Sequence, residues 1–209
     1  MAALSAVASF SFIVQVATAI AAGATGVTAY KGYRATGSPT FLRLFASFSL
    51  LALGLLGSAL AATVDDTVFS AAVLIVGSAL EAGGYFLLAL SHFFTVRRDI
   101  TTLGTLLLIP AVSVSALMSV NIIVRAVSLY LLLYISVETL IFYFQNRSRP
   151  TLISVSGLLL ITLGVLLGML VPSDADYGYT LNVLKLLGFV LLFSPVAILF
   201  RHRPGVPLK

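Results

Sequence analysis

The chain has 209 residues, of which 60% are hydrophobic and 9% charged, with a formal charge of +5 and no cysteine. Soluble domains carry about 45–50% apolar and about 25% charged residues. This composition therefore excludes a water-facing globule, a nucleic-acid binder, a disordered tail and a disulfide-stapled secreted domain. With a mean hydropathy of +1.12, the expectation is an all-α integral membrane protein, multi-pass in the cell membrane, with membrane lipid as its first partner.

A bilayer core takes about 20 apolar residues per helix. In chain order, seven stretches qualify as spans, roughly 5–29, 41–62, 68–94, 102–118, 121–145, 151–171 and 180–200. No Lys or Arg precedes Phe10, so the first run reads as a true span rather than a secretory leader. No charge cluster divides the fourth span from the fifth. As one helix, Thr101–Gln145 would measure about 67 Å, twice the hydrocarbon thickness, so the chain is expected to turn back at Met118-Ser119-Val120-Asn121.

The charges count the spans independently. Lys31, Arg34, Arg43, Arg97, Arg98, Arg147, Arg149, Arg201, Arg203 and Lys209 all fall on one side of a seven-span chain. The opposite loops hold Asp65, Asp66, Asp174 and Asp176 and no basic residue. The positive-inside rule then places the N-terminus outside and the C-terminus in the cytoplasm. Asn146-Arg147-Ser148 matches a glycosylation sequon but falls on the cytoplasmic side of this arrangement.

The sequence also repeats. Leu80-Glu81, Gly84-Tyr85, Leu87-Leu88 and Arg97 align without a gap on Leu184-Lys185, Gly188-Phe189, Leu191-Leu192 and Arg201. Pro39-Thr40 and Gly57 align on Pro150-Thr151 and Gly168. The chain thus reads as a single transmembrane domain whose halves, about 1–98 and 121–203, are parallel repeats joined by the fourth span. In helix count, orientation and repeat pattern this 3+1+3 plan resembles the SWEET-type sugar transporters and the microbial rhodopsins. The likeness covers the whole chain but carries no family motif, so it implies architecture alone.

Four ionisable residues lie within spans, where they cost free energy and call for a functional reading. Glu81 and Lys185 each stand 16 residues before the Arg that ends their span, about 24 Å from the inner boundary. Equal depth and opposite charge make them a candidate pair. Arg125, at similar height, could join them or snorkel to headgroups, and Asn182 lies one turn from Lys185. This outer-leaflet cluster on the third, fifth and seventh spans reads either as polar glue between helices or as an outward-facing binding site. Glu138 lies closer to the cytoplasm and shares a helix face with Tyr134 and Tyr130. That row is a secondary candidate, either a polar track or a membrane-edge Glu bonded to water or Tyr.

A Lys on the seventh span with a carboxylate on the third is also the minimal retinal Schiff-base arrangement. Against it stand the shallow position of Lys185, a sixth span without aromatic residues, and the absence of Trp. No hydrolase triad, zinc motif or phosphate loop appears, so neither catalysis nor a cofactor or metal is expected. Two functional classes remain: a receptor-like sensor or accessory subunit of a membrane complex, or a small-solute transporter. The first would take other membrane proteins or a second copy as partners. The second would need a polar path, for which Gln15, Thr18, Asn121, Ser128, Ser136 and Asn182 are the available side chains.

Overall fold

The computed structural model describes residues 2–64, 67–96, 120–170 and 175–201, with side chains at 10–64, 67–91, 122–170 and 180–194. Six helices make up this part of the chain: α1 (Ala2–Thr36), α2 (Pro39–Ala61), α3 (Thr67–Val96), α4 (Val120–Asn146), α5 (Arg149–Leu170) and α6 (Ala175–Arg201). Five are long and apolar enough to cross a membrane, namely Phe10–Thr36, Pro39–Ala61, Thr67–Ser91, Ile122–Asn146 and Arg149–Leu170. In α6 the described apolar stretch, Thr180–Ser194, is shorter. The protein is therefore an all-α, multi-pass membrane protein. The expected fourth span, 102–118, lies outside the described residues.

The helices overrun the apolar stretches that announce them. The first expected span stops at 29, yet α1 continues through Tyr30-Lys31-Gly32-Tyr33-Arg34 to Thr36. A helix already formed in lipid keeps its backbone paired on leaving it, and Tyr, Lys and Arg suit the interface.

Two hairpins are closed by two-residue connections. After α1, Gly37 adopts φ +67° and its N–H donates to the Tyr33 carbonyl at 2.7 Å. Ser38 is extended (φ −71°, ψ 122°), and Pro39 opens α2 where no backbone donor is needed. After α4, Arg147 takes the left-handed role (φ +46°), its N–H donating to the Tyr143 carbonyl at 2.6 Å. Ser148 then accepts the Thr151 N–H at 3.4 Å, capping α5.

Around the bundle each helix packs on its chain neighbours, and α6 returns to α1, giving a closed ring α1–α2–α3–α4–α5–α6. Lipid supplies no hydrophobic drive between helices, so close backbone contact must hold them. The contact between α2 and α3 is glycine-backed. A Cβ on Gly54 would stand 2.6 Å from the Gly77 carbonyl oxygen, and one on Gly84 would stand 2.6 Å from Leu51 Cγ. Between α5 and α6, a Cβ on Gly188 would stand 2.6 Å from the Gly157 carbonyl oxygen. Polar side chains add to this packing, with Ser47 Oγ donating to the Gly84 carbonyl at 2.7 Å and Ser136 bonded to Thr162 at 3.1 Å between α4 and α5. All six helices feed one apolar core, at whose centre Leu51, Tyr85, Leu132, Ile135, Ile161 and Phe189 are fully or almost fully buried.

Candidate functional site

Glu81 is seated by glycine. Gly54 of α2 lies against its backbone, such that a Cβ there would come within 2.7 Å of the Glu81 nitrogen. On the other side of the ring, Gly164 of α5 lies against Lys185, its Cβ position 3.3 Å from Lys185 Cγ. Gly54 is 15 residues beyond Pro39, and Gly164 is 15 residues beyond Arg149. Both charges therefore stand about 22 Å along the helix axis from their respective hairpin turns.

The two charges meet. Lys185 Nζ donates to Glu81 Oε1 at 3.0 Å. Tyr85, one turn along α3, donates its hydroxyl to the same Oε1 at 3.0 Å. The side chains of Lys185 and Glu81 are 20% and 13% exposed, which leaves the pair open at one edge. Tyr85, by contrast, is only 1% exposed and belongs to the apolar core. The carboxylate thus sits at a boundary, with a partly open polar layer on one side and packed aromatic and aliphatic side chains on the other.

The polar layer extends to α1. Asn182 Nδ2 donates to Ser11 Oγ at 2.9 Å. Gln15 follows Ser11 by one turn on the same face of α1, as Lys185 follows Asn182 on α6. Gln15 Oε1 is buried and has no hydrogen-bond partner, which is costly for a carbonyl in a low-dielectric setting.

Other polar residues singled out in the sequence lie elsewhere. Arg125 is exposed, and its described contact is a long one, Nη1 to the Gly168 carbonyl at 3.5 Å. Its place near the end of α4 lets the guanidinium reach the last carbonyls of α5 instead of the pair. Tyr134 packs against the apolar core, while Tyr130 and Glu138 are half-buried along the same helix. Thr18 and Ser128 turn back onto carbonyls of their own helices, at Val14 and Val124. Asn121 has no described side chain.

Three contributors were not read from sequence. Glu81-x-x-x-Tyr85 was legible as a one-turn spacing, but the Tyr was assigned only to the repeat. Ser11 carries no sequence signal for its bond to a residue 171 positions away. Gln15 reads from sequence as a possible path residue, and nothing in the sequence marks its Oε1 as buried without a partner. Among the described residues no cluster of His, Asp or Glu could hold a metal ion. Comparisons with protein-family models, with curated proteins and with solved structures find no match to this chain.

Proposed function

We propose that the protein is a non-enzymatic, seven-span bundle of the cell membrane, acting as a receptor-like sensor or as an accessory subunit. In this reading the layer formed by Glu81, Lys185, Asn182, Ser11 and Gln15 is where it engages a ligand or partner. The observation that carries this reading is the boundary at Glu81. A polar, partly open layer stops against a core in which Tyr85 and Phe189 are only 1% and 0% exposed. A layer that ends on packed side chains suits binding better than passage.

The seven-span count rests on parity. The connections at Gly37-Ser38 and Arg147-Ser148 are both flanked by basic residues, which favours placing both in the cytoplasm. Ser11, at the end of α1 remote from the first turn, bonds to Asn182, in the half of α6 remote from the second. This too supports a common side for the turns. With that arrangement α3 ends on the cytoplasmic side and α4 begins on the outer one. The 23 residues between Val96 and Val120 must then cross once, and as a helix they would measure about 34 Å.

A small-solute transporter on the 3+1+3 plan is the second reading, favoured by recurrence of contacts. Gly54 meets Glu81 as Gly164 meets Lys185, Gly57 meets Gly77 as Gly168 meets Leu181, and Gly84 meets Leu51 as Gly188 meets Ile161. The connections recur as well, Tyr33-Gly37-Ser38 against Tyr143-Arg147-Ser148. Parallel repeats of this kind occur in transporters.

Extraction of wild-type protein and the Lys185→Met variant in mild detergent, followed by native mass spectrometry, tests the first reading. A bound small molecule or protein retained by wild type and lost from the variant supports it. Equal retention, or none in either, counts against it. Uptake of a sugar panel into proteoliposomes, abolished by the same variant, would establish the second reading instead.

A further inference from the structure

The outer face of α1 changes character along its length. Ile20, Val27, Lys31 and Arg34 share that face by helical register, and all four are exposed. The stripe is apolar as far as Val27 and basic from Lys31 to the turn. Beside it the Tyr30 ring leans on Phe45 of α2, with centroids 5.2 Å apart, and stays partly exposed. A tyrosine so placed suits the boundary between hydrocarbon and headgroups.

The two cations have no protein counter-charge close by. Among the described residues Lys31 and Arg34 make no ion pair or side-chain hydrogen bond. The neighbours of α1 are α2 and α6. Neither α2 nor the part of α6 with described side chains contains a carboxylate.

The second hairpin does without cations at these positions. Counted back from the positive-φ residue of each turn, Lys31 and Arg34 stand where α4 carries Ile141 and Phe144, both exposed. Its basic residues, Arg147 and Arg149, lie in the turn itself and at the first position of α5. Charges in the turn suffice to mark which side of the membrane it faces. Lys31 and Arg34 are additional, and they extend an apolar stripe on one helix face.

We propose that this face of α1 binds an anionic phospholipid, with its phosphate at Lys31 and Arg34, its glycerol region beside Tyr30 and an acyl chain along Val27 and Ile20. Negative head and apolar tail meet complementary surface in that order. A free anion would use the cations and leave the stripe without a role. The site is separate from the Glu81–Lys185 layer and does not depend on it.

The full chain in mild detergent is titrated with phosphatidylglycerol or with phosphatidylcholine of the same acyl chains, and bound lipid is counted by native mass spectrometry. Wild type is expected to prefer phosphatidylglycerol by about thirtyfold, the contribution of two basic residues. Lys31→Gln/Arg34→Gln should lose that preference. Arg147→Gln/Arg149→Gln, which removes equal charge from the other hairpin, should keep it. No preference in wild type, or equal loss in both doubles, overturns the proposal, the latter because it would mean diffuse attraction to net charge. Displacement of bound phosphatidylglycerol by millimolar inorganic phosphate also overturns it, in favour of a free-anion site. Should the first double insert poorly, Lys31→Gln and Arg34→Gln alone should each lose about fivefold of the preference, and full retention by both overturns the proposal.

Discussion

Lys185 and Glu81 share a hydrogen bond of 3.0 Å although α6 and α3 are not neighbours in the helical ring. The long Lys side chain spans what the backbones do not, so the pair is a cross-member and not a by-product of helix packing. Removing one partner of a buried pair costs about 3–5 kcal/mol. With part of each side chain open, about 1–3 kcal/mol is expected for Lys185→Met or Glu81→Gln alone. The double substitution should recover much of that loss in thermal unfolding monitored by size-exclusion fluorescence. Losses that simply add would show the two residues to be energetically independent.

The glycine contacts predict a sharp contrast within one helix. Gly77→Ala places a methyl 2.9 Å from the Gly54 carbonyl oxygen and 3.0 Å from the Ser58 nitrogen, all on backbone that cannot step aside. Forcing the helices apart should cost about 1–3 kcal/mol. Gly83→Ala meets nothing closer than Leu50 Cδ1 at 3.8 Å, and it should be neutral or gain up to about 1 kcal/mol from helix propensity. Melting temperatures of the two variants that fell equally would remove close approach as the cause.

At the second hairpin an arginine occupies a glycine-like position. Arg147 has φ +46°, a region that costs an L-residue about 1–2 kcal/mol. Arg147→Gly should therefore stabilise the protein by about 1 kcal/mol, whereas Gly37→Ala, at φ +67°, should destabilise it by a similar amount. Reversal of the two signs in thermal denaturation would mean that the connections are not held in these conformations.

An odd number of crossings fixes which side of the membrane each turn faces. Single cysteines at Ala35 and Asn146, both exposed beside the two turns, should react with an impermeant reagent only after intact cells are opened. A cysteine at Ala62, exposed at the far end of α2, should react in intact cells. Reactivity at 35 and 146 from opposite sides would mean that residues 97–119 do not cross.

Much of this arrangement was legible in the sequence, and the boundary of legibility has a physical cause. Span positions came from hydropathy alone, because lipid selects for uninterrupted apolar runs. The depths of Glu81 and Lys185 came from counting residues to a terminal Arg, since helical rise converts sequence distance into height. What sequence does not encode in lipid is rotation about the helix axis. An apolar face turned to lipid and one turned to a neighbouring helix have the same composition. For Arg125 the sequence leaves open whether it joins the pair or turns outward, and in the structure it reaches Gly168. Ser11 and Asn182 meet for the same unreadable reason, through the bearing of α1 on α6.

The connection at Gly37-Ser38 has a consequence for biogenesis. Two residues span at most about 7 Å when fully extended, far less than the width of a bilayer. Once α1 is positioned across the membrane, α2 is already bound to begin at the same face, with no slack to emerge, fold or associate elsewhere first. The N-terminal hairpin must therefore leave the insertion machinery as one object, its orientation decided while Lys31, Arg34 and Arg43 are still within a few turns of each other on the nascent chain.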